Sequence, residues 1–421
     1  MPFLTYFDSA STDPIDHVDR EADVEDLRQS LYAFLRAPNK SKGRAVAILG
    51  ERGIGKSMLA RKVIDELREQ HAATTLFLVI DCRNFRNQRK VYQAIAAQAV
   101  DQLGFRADVD QAMLATARLL EAIASMDTVK QSALYERITV FKQAVKLTGN
   151  RSLLKHLGVT YDINIERSVK NLDRLEGSVH FEGARLREAV VAFFEDLRAH
   201  QGYDAIVVLD NLDELDHEAI AEEQDREALL AEIDSLLGLA LAPIGLVLTV
   251  RTYFASGLTR AIGDGNRVLH RLDDADHVAI VEKRLAREPT ENRALFDDPN
   301  CGACIERLAA RAPTPLALLK WFNYLARNEL HASADIDQNL RGLARDQFAT
   351  VKLEVLERVI TAFEDPDSPI FEDVLLAACG NNRSIFKLLL RYQIVLPVDF
   401  WHPTEFTLSP DLHFMWKPSV A

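Results

Sequence analysis

Eight residues, Gly50-Glu51-Arg52-Gly53-Ile54-Gly55-Lys56-Ser57, declare the chemistry of this chain most plainly. They fill every fixed position of G-x-x-x-x-G-K-[ST], a loop that binds phosphate. Gly50, Gly53 and Gly55 let the backbone bend until several N–H groups converge on one phosphate. Lys56 would bring a point charge to the β- and γ-phosphates, and the Ser57 hydroxyl would coordinate Mg²⁺. Ile54 inside the loop and Met58 just after it complete the expected nucleotide-binding positions. A second stretch, Ala205-Ile206-Val207-Val208-Leu209-Asp210, ends an apolar run on a carboxylate. That pattern would bring Asp210 to the edge of a sheet, onto the same Mg²⁺ as Ser57. The expected ligands are ATP or ADP with Mg²⁺.

Such groups need a strand before the loop and a helix after it, because a helix N-terminus favours anions. Residues 45–49 are an apolar run suited to a buried parallel strand, and 58–70 carry Leu59, Val63 and Leu67 at helical spacing. Further strands are expected over 75–81, 205–209, 244–250 and 267–272, with helices over 90–103 and 186–197. Residues 105–183 then read as an insertion. Its first half is helical in pattern (114–126 and 134–147). In its second half Tyr161, Ile163 and Ile165 alternate, with Val179 and Phe181 later, as in a β-hairpin.

Composition narrows the class. A chain of 421 residues with 48% hydrophobic and 27% charged residues should form two to four soluble domains. The longest apolar run, 236–250, is broken by Pro243 and Gly245 and is too short for a bilayer. The acidic N-terminus has no signal-peptide pattern, so a cytoplasmic location without membrane contact is expected. Cys82, Cys301, Cys304 and Cys379 make no disulfide framework, and Cys301-Gly-Ala-Cys304 reads as a helix start rather than half a zinc site. The net charge of −13 argues against a basic nucleic-acid coat. Residues 128–175 nevertheless hold nine Lys/Arg against four Asp/Glu, while 204–234 hold twelve acidic residues and one basic.

Several segments resemble STAND-type P-loop ATPases, relatives of the AAA+ and origin-recognition-like ATPases. Residues 17–27, containing Val18-Asp19-Arg20-Glu21, are similar to the "V-G-R-E" lead-in that packs beside adenine, with Asp19 where glycine is usual. Leu209-Asp210-Asn211-Leu212-Asp213-Glu214 resembles the "L-D-G-L-D-E" of the NACHT branch. AAA+ motors usually carry Glu directly after the first Asp, where this chain has Asn211. The resemblance implies that Asp213 and Glu214 position or activate the attacking water. Thr249-Val250-Arg251-Thr252 is similar to the STAND "T-S-R", implying that Arg251 senses phosphate. A salt bridge from Arg251 to the acidic 204–234 stretch is the rival reading. Arg260 lies where AAA+ oligomers place an arginine finger. Residues 312–319 resemble "G-x-P-L-A-L", whose proline, here Pro315, sits against the base, and the sensor-2 arginine of AAA+ motors is absent.

The last 76 positions, 346–421, read as three helices followed by a two-stranded wing, a winged-helix pattern. Arg383, Lys387 and Arg391 share one face of its third helix. The expected fold is therefore α/β, organised as a lead-in (1–44), a P-loop NTPase core with a parallel five-stranded sheet (45–272), a helical lid (273–345) and the winged helix. The first reading of function is a Mg²⁺-dependent ATPase acting as a nucleotide-controlled regulatory switch, assembling with a partner protein and with itself. One alternative is a DNA-engaging ATPase of the origin-recognition or transposition kind, using 128–175 or Arg383, Lys387 and Arg391. The other is a scaffold that holds nucleotide without turnover.

Overall fold

The computed structural model describes residues 20–37, 43–85, 87–125, 183–214, 223–262, 266–269, 274–288, 299–328, 336–400 and 402–416. Five strands form one sheet: β1 (Arg44–Leu49), β2 (Thr75–Asp81), β3 (Asp204–Asp210), β4 (Gly245–Val250) and β5 (Asn266–Val268), in the order β2-β3-β4-β1-β5. Every pairing is parallel. The carboxyl ends of the strands therefore share one edge, where α/β sheets bind ligands. The apolar strand runs are continuous because both faces of the sheet are covered. Val46, Ile48, Ile206 and Val208 face one core with α1 (Glu21–Arg36) and α2 (Lys56–His71). Their neighbours Ala47, Leu49, Val207 and Leu209 face the other. That second core is closed by α3 (Gln88–Gly104), α4 (Gln111–Ser125), α5 (Gly183–Gln201) and α6 (Glu223–Leu237).

The short helix α7 (Ala255–Ile262) follows β4, and β5 is shorter than the sequence suggests, ending at Val268. Four helices come next: α8 (Asp274–Leu285), α9 (Pro299–Ala309), α10 (Pro315–Arg327) and α11 (Ile336–Gln347). The C-terminal part contains α12 (Leu353–Thr361), β6 (Ile370–Phe371), α13 (Glu372–Ala378), α14 (Arg383–Arg391), β7 (Val395–Pro397) and β8 (Glu405–Leu408). Its sheet has three antiparallel strands in the order β6-β8-β7, one more than the two expected. The extra strand arises because Phe371, placed in a helix by periodicity, stays extended as the residue before α13 and pairs with Glu405. The four cysteines are all free and buried, distributed between the end of β2, α9 and the start of the turn after α13. The expected hairpin over 161–181, the second insertion helix and the basic 128–175 stretch lie outside the described residues, as does the Arg260 side chain.

Candidate nucleotide site

The loop between β1 and α2 is bent at Gly53 and Gly55, whose φ values of 82° and 104° lie in the left-handed region that glycine tolerates. At Gly53 a Cβ would fall 2.1 Å from Cβ of Leu316, in the first turn of α10. The helix that follows Pro315 therefore lies directly on the phosphate loop. Lys56 opens α2, and its buried Nζ donates to the carbonyls of Gly50 at 2.7 Å and Glu51 at 2.9 Å. Burial lowers its pKa below the ordinary lysine value. The half-buried Met58 stands beside Gly55 on the first turn.

Ser57 and Asp210 meet side chain to side chain. The Ser57 hydroxyl donates to Oδ1 of Asp210 at 2.7 Å, and Thr249 Oγ1 donates to the same oxygen at 2.5 Å. Oδ2 of Asp210 is buried and has no hydrogen-bond partner among the described residues. A hydroxyl and a carboxylate with an open oxygen suit Mg²⁺, which takes few protein ligands and completes its shell with phosphate and water. The described residues hold no cluster of three His, Cys, Asp or Glu that could hold a metal ion. Asn211, next in the chain, has a φ of 55°. Its N–H donates to Thr249 Oγ1 at 2.7 Å, and its amide reaches Asp81 at 3.3 Å. Asparagine suits this turn because it adopts left-handed geometry more readily than most residues.

Asp213 and Glu214 sit in a 3-10 turn, Leu212–Glu214, beside the tip of β4. Arg251 Nε lies 3.0 Å from Asp213 Oδ2, its Nη2 donates to Glu214 at 2.8 Å, and its N–H donates to Asp213 Oδ1 at 3.2 Å. The salt-bridge reading of Arg251 is thus realised in the structure, with the residue 1% exposed. Its Nη1 remains buried and without a hydrogen bond among the described residues. Burial raises the Asp213 carboxyl above its ordinary value. Burial acts the same way on Glu214, but Arg251 and Arg52 outweigh it and hold that carboxyl low. Sequence reasoning missed Gln393, which follows α14 with a φ of 54°. Its Oε1 accepts from Arg52 Nη1 at 3.1 Å and from Arg251 Nη2 at 3.0 Å. Nothing in the local sequence around Gln393 signals this contact, which spans 341 positions to Arg52.

The loop borders a cavity of about 370 Å³ whose walls include Glu51, Ile54, Leu269, Pro313 and His413. Three prolines line it, Pro313, Pro366 and Pro410, and Pro315 is not among them. Pro315, which the resemblance sets against the base, is the first residue of α10, where Thr314 caps Ala317 N–H at 3.3 Å. From the lead-in segment, Arg20 reaches the Ile54 carbonyl at 3.3 Å, so α1 begins against the phosphate loop.

The family described as "AAA ATPase domain" matches residues 18–247. No curated protein matches the chain. Among solved structures, it is similar to Cdc6p from Pyrobaculum aerophilum, at 12% identity and a TM-score of 0.42, covering 98% of this chain and 97% of that one. It is also similar to the Aeropyrum pernix ORC1 protein, solved in complex with DNA, at 16% identity and a TM-score of 0.43, covering 98% and 94%. The Drosophila ORC bound to DNA matches at 12% identity and a TM-score of 0.42, covering 98% and 90%. The family match takes in the lead-in, the phosphate loop, the Asp210 strand and the start of β4, more than half of the chain, and the protein belongs to the AAA ATPase family.

Proposed function

We propose that this protein is an ATP-binding, Mg²⁺-dependent ATPase that couples nucleotide state to the seating of its C-terminal module. One observation carries the ATPase reading. Ser57 and Asp210, 153 positions apart, meet at 2.7 Å on the carboxyl edge of the sheet, with one Asp210 oxygen open. In this reading Gly50, Gly53, Ile54 and Gly55 wrap the phosphates and Lys56 turns from the loop carbonyls to the β- and γ-phosphates. Mg²⁺ held by Ser57 and Asp210 would offset the negative charge of the phosphate oxygens. The cavity bounded by Ile54 and Pro313 takes the base.

Hydrolysis needs a water placed in line with the γ-phosphate, and Asp213 or Glu214 supplies its acceptor. Both carboxylates are tied to Arg251 in this structure. A γ-phosphate competing for Arg251 would release them toward water and loosen Gln393, and with it the turn after α14. That exchange links phosphate occupancy to the C-terminal module. ATP and water become ADP and phosphate, after which Arg251 returns to its carboxylates.

For the target, membership of the AAA ATPase family favours the DNA-engaging alternative over a STAND-type signalling switch. Arg383 and Arg391 are exposed on α14, and the basic 128–175 stretch adds a local excess of cations. The net charge of the remaining chain favours a protein partner instead. ATP turnover by the full chain, with and without duplex DNA, tests both levels. Lys56→Ala should abolish turnover and lower ATP affinity at least about tenfold, because it removes a charge from the phosphates. Wild-type affinity in that variant would overturn the phosphate-site assignment. DNA-stimulated turnover that fades with salt and with Arg383→Glu/Arg391→Glu would support the DNA reading. Turnover indifferent to DNA would return the partner-protein reading to first place.

A further inference from the structure

Tyr253 lies two residues beyond Arg251, at a position where no motif asks for a phenol. It is 5% exposed, and its hydroxyl has no hydrogen-bond partner among the described residues. Leaving such a group buried and unpaired is unfavourable, so an orphaned hydroxyl at a site calls for an explanation. The adjacent guanidinium has the same deficit. Arg251 Nη1 is buried and unpaired, and the Arg251 guanidinium carbon lies 5.7 Å from the Tyr253 ring centre. Both orphaned groups are donors. Two neighbouring donors without acceptors are complementary to an oxyanion rich in lone pairs.

The surroundings identify which oxyanion. Burial pushes the Tyr253 phenol far above the usual tyrosine range, so it keeps its proton at physiological pH. The charges that act on it are those of Arg251, Asp213, Glu214 and Glu51, the groups around the phosphate loop and the β4 tip. The ring is also held in place. Its backbone carbonyl accepts the Phe400 N–H at 3.0 Å, and the ring stacks on Phe400 with centroids 5.9 Å apart. Phe400 stacks in turn on Phe254 at 4.5 Å.

We propose that the Tyr253 hydroxyl, together with Arg251 Nη1, is a donor pair for the terminal phosphate of a bound nucleoside triphosphate. This rests on the nucleotide reading above and adds a residue to it. A diphosphate lacks the group that the pair addresses, so Tyr253 distinguishes triphosphate from diphosphate. The residue contributes binding and position, and no proton leaves it.

The test uses Tyr253→Phe in the full chain, which keeps the ring on Phe400 and deletes only the hydroxyl. Affinities for ADP and for the β,γ-imido analogue of ATP are measured with Mg²⁺ present, together with the thermal midpoint of the nucleotide-free protein. The expected result is a loss of about tenfold for the analogue, as for a hydrogen bond to a charged group, and ADP affinity within about twofold of wild type. The nucleotide-free midpoint should be unchanged or higher, since an unpaired buried hydroxyl has been removed. Equal losses for both nucleotides, or no loss for either, would overturn the proposal. A lower nucleotide-free midpoint would overturn it too, by showing that the hydroxyl is structural. Wild-type protein that binds neither nucleotide would instead sink the phosphate site as a whole, and this proposal with it.

Discussion

Ser57 and Thr249 both donate to Oδ1 of Asp210, and an asparagine could keep that oxygen in place. Asp210→Asn would replace only the open Oδ2 with an amide nitrogen, so the fold should survive and the metal should not. Wild-type affinity for ATP should fall on chelation of Mg²⁺, whereas the variant should bind equally weakly with and without chelator. Changes to the groups behind a metal ligand already cost about 10–100-fold in metal affinity, so loss of a ligand oxygen should cost at least as much. Titration of nucleotide with and without chelator checks it, and a variant that still responds to Mg²⁺ would remove Asp210 from the metal site. At this scale the sequence was informative for one reason. Motif positions are fixed by backbone geometry, so Lys56, Ser57 and Asp210 are grouped by the sequence itself. Tyr253 and Gln393 are not, since each acts through contacts made by a different part of the chain.

At the scale of elements, the first turn of α10 sits so closely on the phosphate loop that Gly53 has no room for another carbon. Gly53 needs its left-handed φ of 82°, and Leu316 fills the space where its side chain would go. Gly53→Ala therefore meets two separate obstacles. The backbone term should cost roughly 1–2 kcal/mol, with the collision added to it. Leu316→Ala shortens the side chain without removing the Cβ that collides, so only Leu316→Gly should recover the steric part in the double variant. Thermal midpoints of the three variants check this, and full recovery by Leu316→Gly would show that φ is not strained there. The strands were legible from their apolar runs, since parallel strands covered on both faces leave no alternation to misread. Phe371 was not, because a residue just before a helix has the same apolar spacing whether it is helical or extended. The contact between Gly53 and Leu316 was equally hidden, being a matter of how the lid helices settle on the sheet.

Across the whole molecule, the C-terminal segment is bolted to the lid through Asp411. Lys320 Nζ, on α10, lies 2.6 Å from its Oδ2, and the Trp321 indole donates to its carbonyl at 3.3 Å. Burial would raise this carboxyl, but Lys320 outweighs it and holds the pKa below the ordinary aspartate value. A depressed carboxyl stabilises the fold above its unfolded pKa of about 3.9 and loses that contribution as pH falls through the folded value. Asp411→Asn should therefore cost about 1–3 kcal/mol at neutral pH and flatten the acid limb of the stability curve below about pH 4. Unfolding midpoints across pH 3 to 7 check it, and parallel curves for the two proteins would refute the role of the ion pair. The composition points to several domains, and in the last part the three helices and two of the three strands are readable from periodicity. How those parts meet is not, because Lys320, Gln393 and Phe400 are ordinary residues until folding brings them to their partners. One consequence lies in the cysteines. Cys82 directly follows the second sheet strand beside the carboxylates, Cys304 lies in the lid, and Cys379 follows α13. Burial lifts the Cys82 thiol well above its ordinary value, Cys304 to about 11, and Cys379 in the same direction. Each is therefore almost inert to alkylating reagents until its own region opens. Labelling kinetics read by peptide mass would time the opening of sheet edge, lid and C-terminal module separately, in the native sequence and without any engineered probe.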